Sequence, residues 1–169
     1  MIRNRIAERI LPAKKNGGFN EKDFMIWCGS VIKGEDGRFH MFASCWERKL
    51  GFGWQWLFQS QVVRACSDAP EGPFSMQETV LPRRDRKYFD GMNTHNPYIR
   101  YWNGTYYLYY MGTTYGGEIP QSERDISPER AIEVWNKKRI GLAVSHSVYG
   151  PWKRRDTPLL EPRDCSHWD

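Results

Sequence analysis

The chain has 169 residues, a formal net charge of +5 and an aromatic share of 15%. That length is typical of one domain, and no apolar run approaches the ~20 residues that a membrane-spanning helix needs. The cations fall in short scattered groups, such as Lys137/Lys138/Arg139, rather than on one helix or stripe. This distribution argues against a nucleic-acid partner, and we interpret the groups as solvated connections.

Residues 1–22 are predicted to form an N-terminal arm. Met1 to Lys15 mixes charges among its apolar residues and lacks the apolar core of a signal peptide. As written, the chain is expected to be cytoplasmic, or periplasmic or secreted if a leader has been removed. The four cysteines, at 28, 45, 66 and 165, show no Cys-x-x-Cys spacing, so neither a metal site nor a disulfide framework is predicted.

Residues 23–84 are predicted to form a first four-stranded antiparallel unit. An apolar strand reaches Asp36-Gly37, a strong hairpin signal, and an aromatic-rich strand then returns. A third strand over 62–67 is followed by the turn Gly72-Pro73 and a last strand that carries Leu81.

Residues 85–163 repeat this pattern. The hairpin signal is now Asn103-Gly104, the third strand lies over 140–145, and Gly150-Pro151 precedes a last strand that carries Leu159. An insertion at 116–137 separates the second and third strands. Within it, Ser127-Pro128-Glu129 predicts a helix start. The apolar side of that helix would be formed by Ala131, Ile132, Val134 and Trp135.

Residues 164–169 resemble the entry to the second unit and would begin a third. Repeated four-stranded units predict an all-β fold, a β-propeller represented by about two blades and the start of another. The alternative is a two-sheet sandwich made of the same strands. Two blades leave sheet faces and edges open, so a homo-oligomer through those faces is also expected unless the chain is a truncation.

Four stretches carry a resemblance to known proteins: Trp27–Ser44, Val63–Pro73, Phe89–Pro97 and Arg139–Ser145. They resemble the five-bladed propeller enzymes around glycoside hydrolase family 43, especially family-43-like proteins of gut and marine Bacteroidetes. The run Phe-Asp-Gly-x-x-Thr-His-Asn-Pro is the most specific of these matches. The resemblance implies a five-bladed ring whose active site lies on the central axis.

The resemblance also implies where the site residues lie. The first-blade position holds Cys28-Gly29-Ser30 where family 43 usually has Asp-Pro, and the second-blade position holds His95-Asn96-Pro97 after Asp90. Glycoside hydrolysis needs two carboxylates. Asp90 and Asp169 are the predicted catalytic residues, with the family's general acid supplied by a later blade. Substrate contacts are predicted for Trp27, Cys28, His95, Asn96 and Trp168, with the tryptophans as stacking platforms. The alternative for Asp90 is a plain turn residue.

Three functions follow from these residues. The first is a glycoside hydrolase acting on a plant- or algal-type oligo- or polysaccharide without an organic cofactor. The second is an inactive carbohydrate-binding propeller, and the third is a phosphate-dependent glycoside phosphorylase. In each case the expected partner is a carbohydrate, with neither nucleic acid nor membrane involved. A structural calcium or other ion on the propeller axis is left open.

Overall fold

The computed structural model describes residue 10 and residues 12–161. These residues form two four-stranded antiparallel sheets, each with its strands in sequential order. The sheets lie within the bounds predicted for the two blades. None of the helices in the described part of the chain has the length and hydropathy that a membrane crossing requires.

The first sheet follows the predicted strand pattern. Its strands are β1 (Phe24–Lys33), β2 (Phe39–Glu47), β3 (Gln61–Ser67) and β4 (Ser75–Leu81). β1 and β2 form a hairpin whose loop contains Asp36 and Gly37, and Gly37 has a φ of 81°. Glycine reaches this left-handed region without a steric penalty, which is why Asp-Gly is a turn signal. The predicted first hairpin is confirmed.

The second sheet repeats this arrangement. Its strands are β5 (Asn93–Trp102), β6 (Thr105–Thr113), β7 (Arg139–Ser145) and β8 (Lys153–Arg154). Asn103 and Gly104 form a two-residue turn with φ of 46° and 75°, as a type I′ hairpin requires. The second hairpin is confirmed, but the last strand is shorter than expected. β8 spans only two residues, and Leu159 lies outside it, with its backbone NH bonded to the Ile140 carbonyl.

The internal repeat is visible in the backbone of the two leading strands. The register of β1 shifts between Trp27 and Ser30, and that of β5 shifts between His95 and Tyr98. Cys28 and Asn96 take up these bulges with φ of 51° and 48°. A β-bulge bends its strand and redirects side chains, and bulges of this kind recur beside active sites. Both blades therefore bend at the positions where the resemblance places the site.

The two sheets pack face to face around one apolar core. Strand β5 lies against β1, β2 and β3 of the first sheet. The core between the sheets contains Phe42, Val62, Leu108, Tyr110 and Ala143, all fully or almost fully buried. Large side chains of this kind supply most of the hydrophobic stabilisation that holds neighbouring sheets together.

The predicted helical insertion is present in the second sheet. It contains α2 (Pro128–Asn136), preceded by a 3₁₀ turn over Glu123–Asp125. The Ser127 hydroxyl accepts a hydrogen bond from the Arg130 backbone NH, as expected of an N-cap. Of the four predicted apolar positions, Ala131 and Val134 are buried, whereas Ile132 and Trp135 are 59% and 44% exposed. The short helix therefore buries only the narrow stripe of its surface that Ala131 and Val134 form.

The first sheet carries a matching insertion that the sequence did not reveal. Between β2 and β3 lie a 3₁₀ turn (Arg48–Leu50) and the four-residue helix α1 (Trp56–Gln59). No side chain caps α1, so the usual start signal is missing. The Glu123 carboxylate of the second insertion accepts the backbone NH groups of Trp54 and Gln55 at 2.9 and 3.0 Å. A shared apolar cluster that includes Leu57, Phe58 and Val134 packs the two insertions together.

Part of the predicted N-terminal arm lies against the first sheet. The Gly18 NH donates to the Glu71 carbonyl, and the Phe74 NH donates to the Gly18 carbonyl. Phe19 packs beside Ala43 and Val63, on the face of the first sheet that points away from the second. The predicted start of a third blade, at 164–169, lies outside the described residues.

Candidate functional site

A cavity of about 420 Å³ opens where the bulged strands of the two sheets meet the two insertions. We call it the aromatic cavity. Its lining residues are Trp27, Trp46, Phe52, Trp56, His95, Asn96, Met111, Trp135 and Lys138. Three of the predicted substrate contacts, Trp27, His95 and Asn96, are therefore brought together from both sheets. Sequence reasoning missed the other walls because they come from the insertions and from β2 and β6.

Aromatic rings cover several sides of this cavity. The Trp56 and His95 rings stack with centroids 4.8 Å apart and planes inclined by 29°. The Trp135 ring packs edge-on against Trp56 with ring centroids 5.4 Å apart, and the Phe52 and Trp27 ring centroids lie 5.3 Å apart. Trp27 is 48% exposed, so much of its surface is available to a ligand. Flat apolar faces of this kind suit the C–H face of a pyranose ring.

His95 offers a hydrogen-bond acceptor to the cavity. Its Nδ1 lies 2.8 Å from the Ser60 hydroxyl, which itself donates to the Thr94 carbonyl. The Ser60 oxygen must then accept from His95, so the proton sits on Nδ1 and Nε2 keeps its lone pair. Burial, reinforced by the charge of Lys138, lowers the pKa of His95 to about 4. The imidazole is therefore neutral at pH 7, and Nε2 can accept a hydrogen bond from a sugar hydroxyl.

Asn96 and Cys28 occupy the two bulges but differ in their relation to the cavity. The Asn96 backbone NH donates to the buried Ser44 hydroxyl at 2.8 Å, and its exposed side chain lines the cavity. Cys28 is also exposed, and partial burial raises the pKa of its thiol. It follows Trp27 in β1 without lining the cavity itself. Its predicted substrate contact therefore stays a prediction.

Lys138 is the one cation that lines the cavity among the described residues. Its Nζ lies 3.0 Å from the Trp135 ring centroid and 5.6 Å from that of Trp56. Burial lowers its pKa to about 8. The prediction that Lys137, Lys138 and Arg139 form a solvated connection is wrong for Lys138, which is partly buried in the cavity wall. The signal that could have corrected it is the spacing, because residues three apart at a helix end lie side by side.

Asp90 does not line the aromatic cavity. It is fully buried, and its carboxylate accepts hydrogen bonds from Arg84 Nε at 2.6 Å and the Tyr110 hydroxyl at 2.7 Å. Arg154 Nη1 approaches it at 3.4 Å. Asp90 was expected beside His95 and Asn96 in the second-blade position, but two guanidinium groups hold its carboxylate inside the protein. Its catalytic role stays a prediction, and the geometry gives it a structural role.

The other predicted acid and platform, Asp169 and Trp168, lie outside the described residues. Within residues 12–161, no carboxylate lines the aromatic cavity. The described residues can therefore bind and orient a ring at this site. They offer stacking surfaces, hydrogen bonds with His95 and Asn96, and the charge of Lys138.

One group in the described part of the chain has the composition of a metal site: Asp36, His40 and Cys66. His40 Nδ1 lies 2.9 Å from an Arg64 guanidinium nitrogen, and Nε2 lies 3.1 Å from Asp36 Oδ1. Because a guanidinium can only donate, Nδ1 accepts and Nε2 carries the proton towards Asp36. Both ring nitrogens are engaged, so Asp36, His40 and Arg64 form a hydrogen-bond network within the first sheet. The group of Asp36, His40 and Cys66 does not fit a metal ion.

No protein-family model matches the chain, and no curated protein matches its sequence. Solved structures do match. A glycoside hydrolase superimposes with a TM-score of 0.62 at 18% identity, over 95% of this chain and 46% of that one. A family 117 glycoside hydrolase of the marine bacterium Zobellia galactanivorans superimposes with a TM-score of 0.58 at 15% identity, over 78% of this chain and 38% of that one. A family 43 enzyme of Xanthomonas citri, complexed with xylose, superimposes with a TM-score of 0.51 at 16% identity, over 79% of this chain and 32% of that one.

The chain has the fold of the propeller glycoside hydrolases. The two sheets are therefore neighbouring blades, as predicted, and the sandwich alternative falls away. At these identities the likeness establishes the fold, while substrate and activity remain to be argued from the site. The chain spans less than half the length of each of these three structures.

Proposed function

We propose that the chain supplies the sugar-binding walls of a propeller glycoside hydrolase acting on a plant- or algal-type oligo- or polysaccharide. The observation that carries the proposal is the aromatic cavity itself. It combines several tryptophan rings with a neutral imidazole and an amide, at the bulges of two neighbouring blades. Apolar faces with a few convergent polar groups are typical of small-molecule sites, and the volume is in the usual range of ~300–1,000 Å³.

The proposed reaction is hydrolysis by a pair of carboxylates. One protonates the leaving oxygen while the other acts as nucleophile or activates water, at separations of ~5–5.5 Å or ~6.5–9.5 Å. In this scheme, Trp27, Trp56 and Trp135 hold the ring, and His95 Nε2 accepts a hydrogen bond from a sugar hydroxyl. Asp169 is proposed as one carboxylate, and the general acid would come from another blade of the ring.

A second candidate function is carbohydrate binding without hydrolysis. Two observations favour it. The bulge of β1 holds Cys28, where the resemblance leads us to expect an acid. The Asp90 carboxylate already accepts hydrogen bonds from Arg84 and Tyr110 and lies beside Arg154. No observation specifically favours a phosphorylase, although added phosphate would reveal one.

Both candidates are tested by measuring binding and turnover separately. Xylo-, arabino- and galacto-oligosaccharides would be titrated into the chain while tryptophan fluorescence is followed, and release of reducing ends would be assayed with and without phosphate. We expect at least one series to bind, and His95→Ala to weaken that binding about tenfold through the lost hydrogen bond. Trp102→Ala is the control, because Trp102 is 69% exposed on β5 and does not line the cavity.

Binding with phosphate-independent turnover would support the hydrolase. Binding without turnover would support the carbohydrate-binding alternative. If none of the sugars binds, or if Trp102→Ala weakens binding as much as His95→Ala, the aromatic cavity is not a sugar site and both candidates fail.

A further inference from the structure

The aromatic cavity contains a cation, Lys138, that has no ion-pair partner within residues 12–161. Lys138 lies two residues after the end of α2, and its backbone NH donates to the Trp135 carbonyl at 3.2 Å, which fixes the start of its side chain beside that ring. The ammonium lies over the Trp135 indole, with the Trp56 indole on a second side. Its two chain neighbours behave differently: Lys137 is paired with Glu133 and Arg139 with Glu161. Within the described residues, Lys138 has no ion pair and its ammonium has no hydrogen-bond acceptor.

In this arrangement the positive charge of the Lys138 ammonium is only partly compensated. Indole faces attract a cation, which offsets part of the cost of removing it from water. They offer no acceptor to the three N–H groups of the ammonium, however. The nearest titratable neighbour that lines the cavity is His95, which is neutral at pH 7 and disfavours the charge of Lys138 if protonated. An anion entering the cavity would therefore form charge-assisted hydrogen bonds that no described residue now forms.

From this geometry, and resting on the proposed function, we infer that the sugar bound in the aromatic cavity carries an anionic substituent that pairs with Lys138. The substituent is a carboxylate, as in a uronic acid, or a sulfate ester. A free inorganic ion fits the site less well, because the cation is surrounded by ring-stacking surfaces rather than by further hydrogen-bond donors. The tryptophans recognise the sugar ring, and Lys138 selects for its charge.

The test compares ligands that differ only in charge. Isothermal titration at low ionic strength would use a galacturonic acid tetrasaccharide, a sulfated galactose tetrasaccharide and a neutral galactose tetrasaccharide, with inorganic phosphate and sulfate as ion probes. We expect one of the anionic sugars to bind at least about tenfold more tightly than the neutral one, because a hydrogen bond to a charged group contributes more than a neutral one. Which of the two binds better identifies the substituent.

Three variants assign the preference to Lys138. Lys138→Gln should abolish the preference, so that the anionic and the neutral sugar bind with equal affinity. Lys138→Arg should retain the preference, which shows that a loss in the glutamine variant is not caused by misfolding. Lys137→Gln is the matched control, because it removes the same charge one residue away, outside the cavity, and should change neither affinity.

The outcomes separate this inference from the function on which it rests. If the neutral and anionic sugars bind equally well, or if Lys138→Gln keeps the preference, the inference fails and the sugar site remains. If inorganic phosphate or sulfate binds as tightly as the anionic sugar, Lys138 serves a free ion and the inference also fails. If no sugar binds at all, the proposed function fails as well.

Discussion

At the scale of single residues, Asp90 is the clearest case of a side chain whose role depends on distant partners. Arg84 and Arg154 reach it from a connection and from β8, and their side chains are only 17% and 10% exposed. The sequence could show that Asp90 precedes a glycine in a turn. It could not show that two arginines, one of them 64 residues away, converge on the carboxylate.

Asp90→Asn should therefore destabilise the fold strongly. The substitution removes the negative charge, which leaves the largely buried Arg154 guanidinium without a counter-charge among the described residues and Arg84 with the exposed Asp156 alone. Breaking a buried ion pair in this way costs about 3–5 kcal/mol. Urea unfolding measures the change. The control is Asp156→Asn, which removes the 67% exposed partner of the same Arg84 and should cost at most about 1 kcal/mol. Equal, small effects of both variants would contradict the structural role.

Lys138 gives a prediction about pH. Its pKa is lowered to about 8, so the ammonium is charged below that pH and loses its charge above it. Affinity for an anionic sugar should stay constant from pH 6 to 7 and then fall between pH 8 and 10 to the level of the neutral sugar. His95, the other titratable group that lines the cavity, has a pKa of about 4 and stays neutral throughout this range. Titrations across this range measure the effect, and an affinity unchanged at pH 10 would contradict it.

At the scale of elements, the sequence predicts those turns and helix starts that a few neighbouring residues determine by themselves. Asp36-Gly37 and Asn103-Gly104 determine their hairpins through backbone conformation alone, and Ser127-Pro128 starts α2 through its own hydroxyl and ring. Helix α1 could not be predicted in this way. It has four residues and no side-chain cap, and its position depends on Glu123, which is more than 60 residues away. The walls of the cavity that depend on this contact were missed with it.

The contact between the insertions should matter for binding. Glu123→Ala leaves the backbone NH groups of Trp54 and Gln55 without their acceptor, which we expect to cost about 1–3 kcal/mol and to loosen Trp56 in the cavity wall. Sugar affinity should fall together with stability, measured by titration and by thermal unfolding. Glu133→Ala removes an exposed acid from the same insertion and should affect neither. A Glu123→Ala protein with unchanged affinity would show that α1 is positioned by its apolar packing alone.

At the scale of the whole molecule, the second sheet has one face that is left largely uncovered within residues 12–161. On that face, Tyr98 is 48% exposed, and Tyr107 and Tyr109 are half-buried. The corresponding face of the first sheet, with His40 and Phe42, is fully buried by the second sheet. We predict that the isolated chain self-associates through this open face, and light scattering over a range of concentrations measures it. Tyr109→Glu should shift the protein towards monomer, whereas Ile132→Glu, on exposed α2, should not. A wild-type monomer at every concentration would contradict this prediction.

A crystal structure with a bound oligosaccharide would show whether the two blades and their insertions build a sugar site. Crystals of the chain would be soaked with the tightest-binding sugar from the titrations. We expect a ring stacked on Trp56 or Trp135 inside the aromatic cavity, with a hydroxyl about 2.7–3.2 Å from His95 Nε2. An oligosaccharide bound on another surface, with the aromatic cavity empty at a saturating concentration, would contradict this expectation.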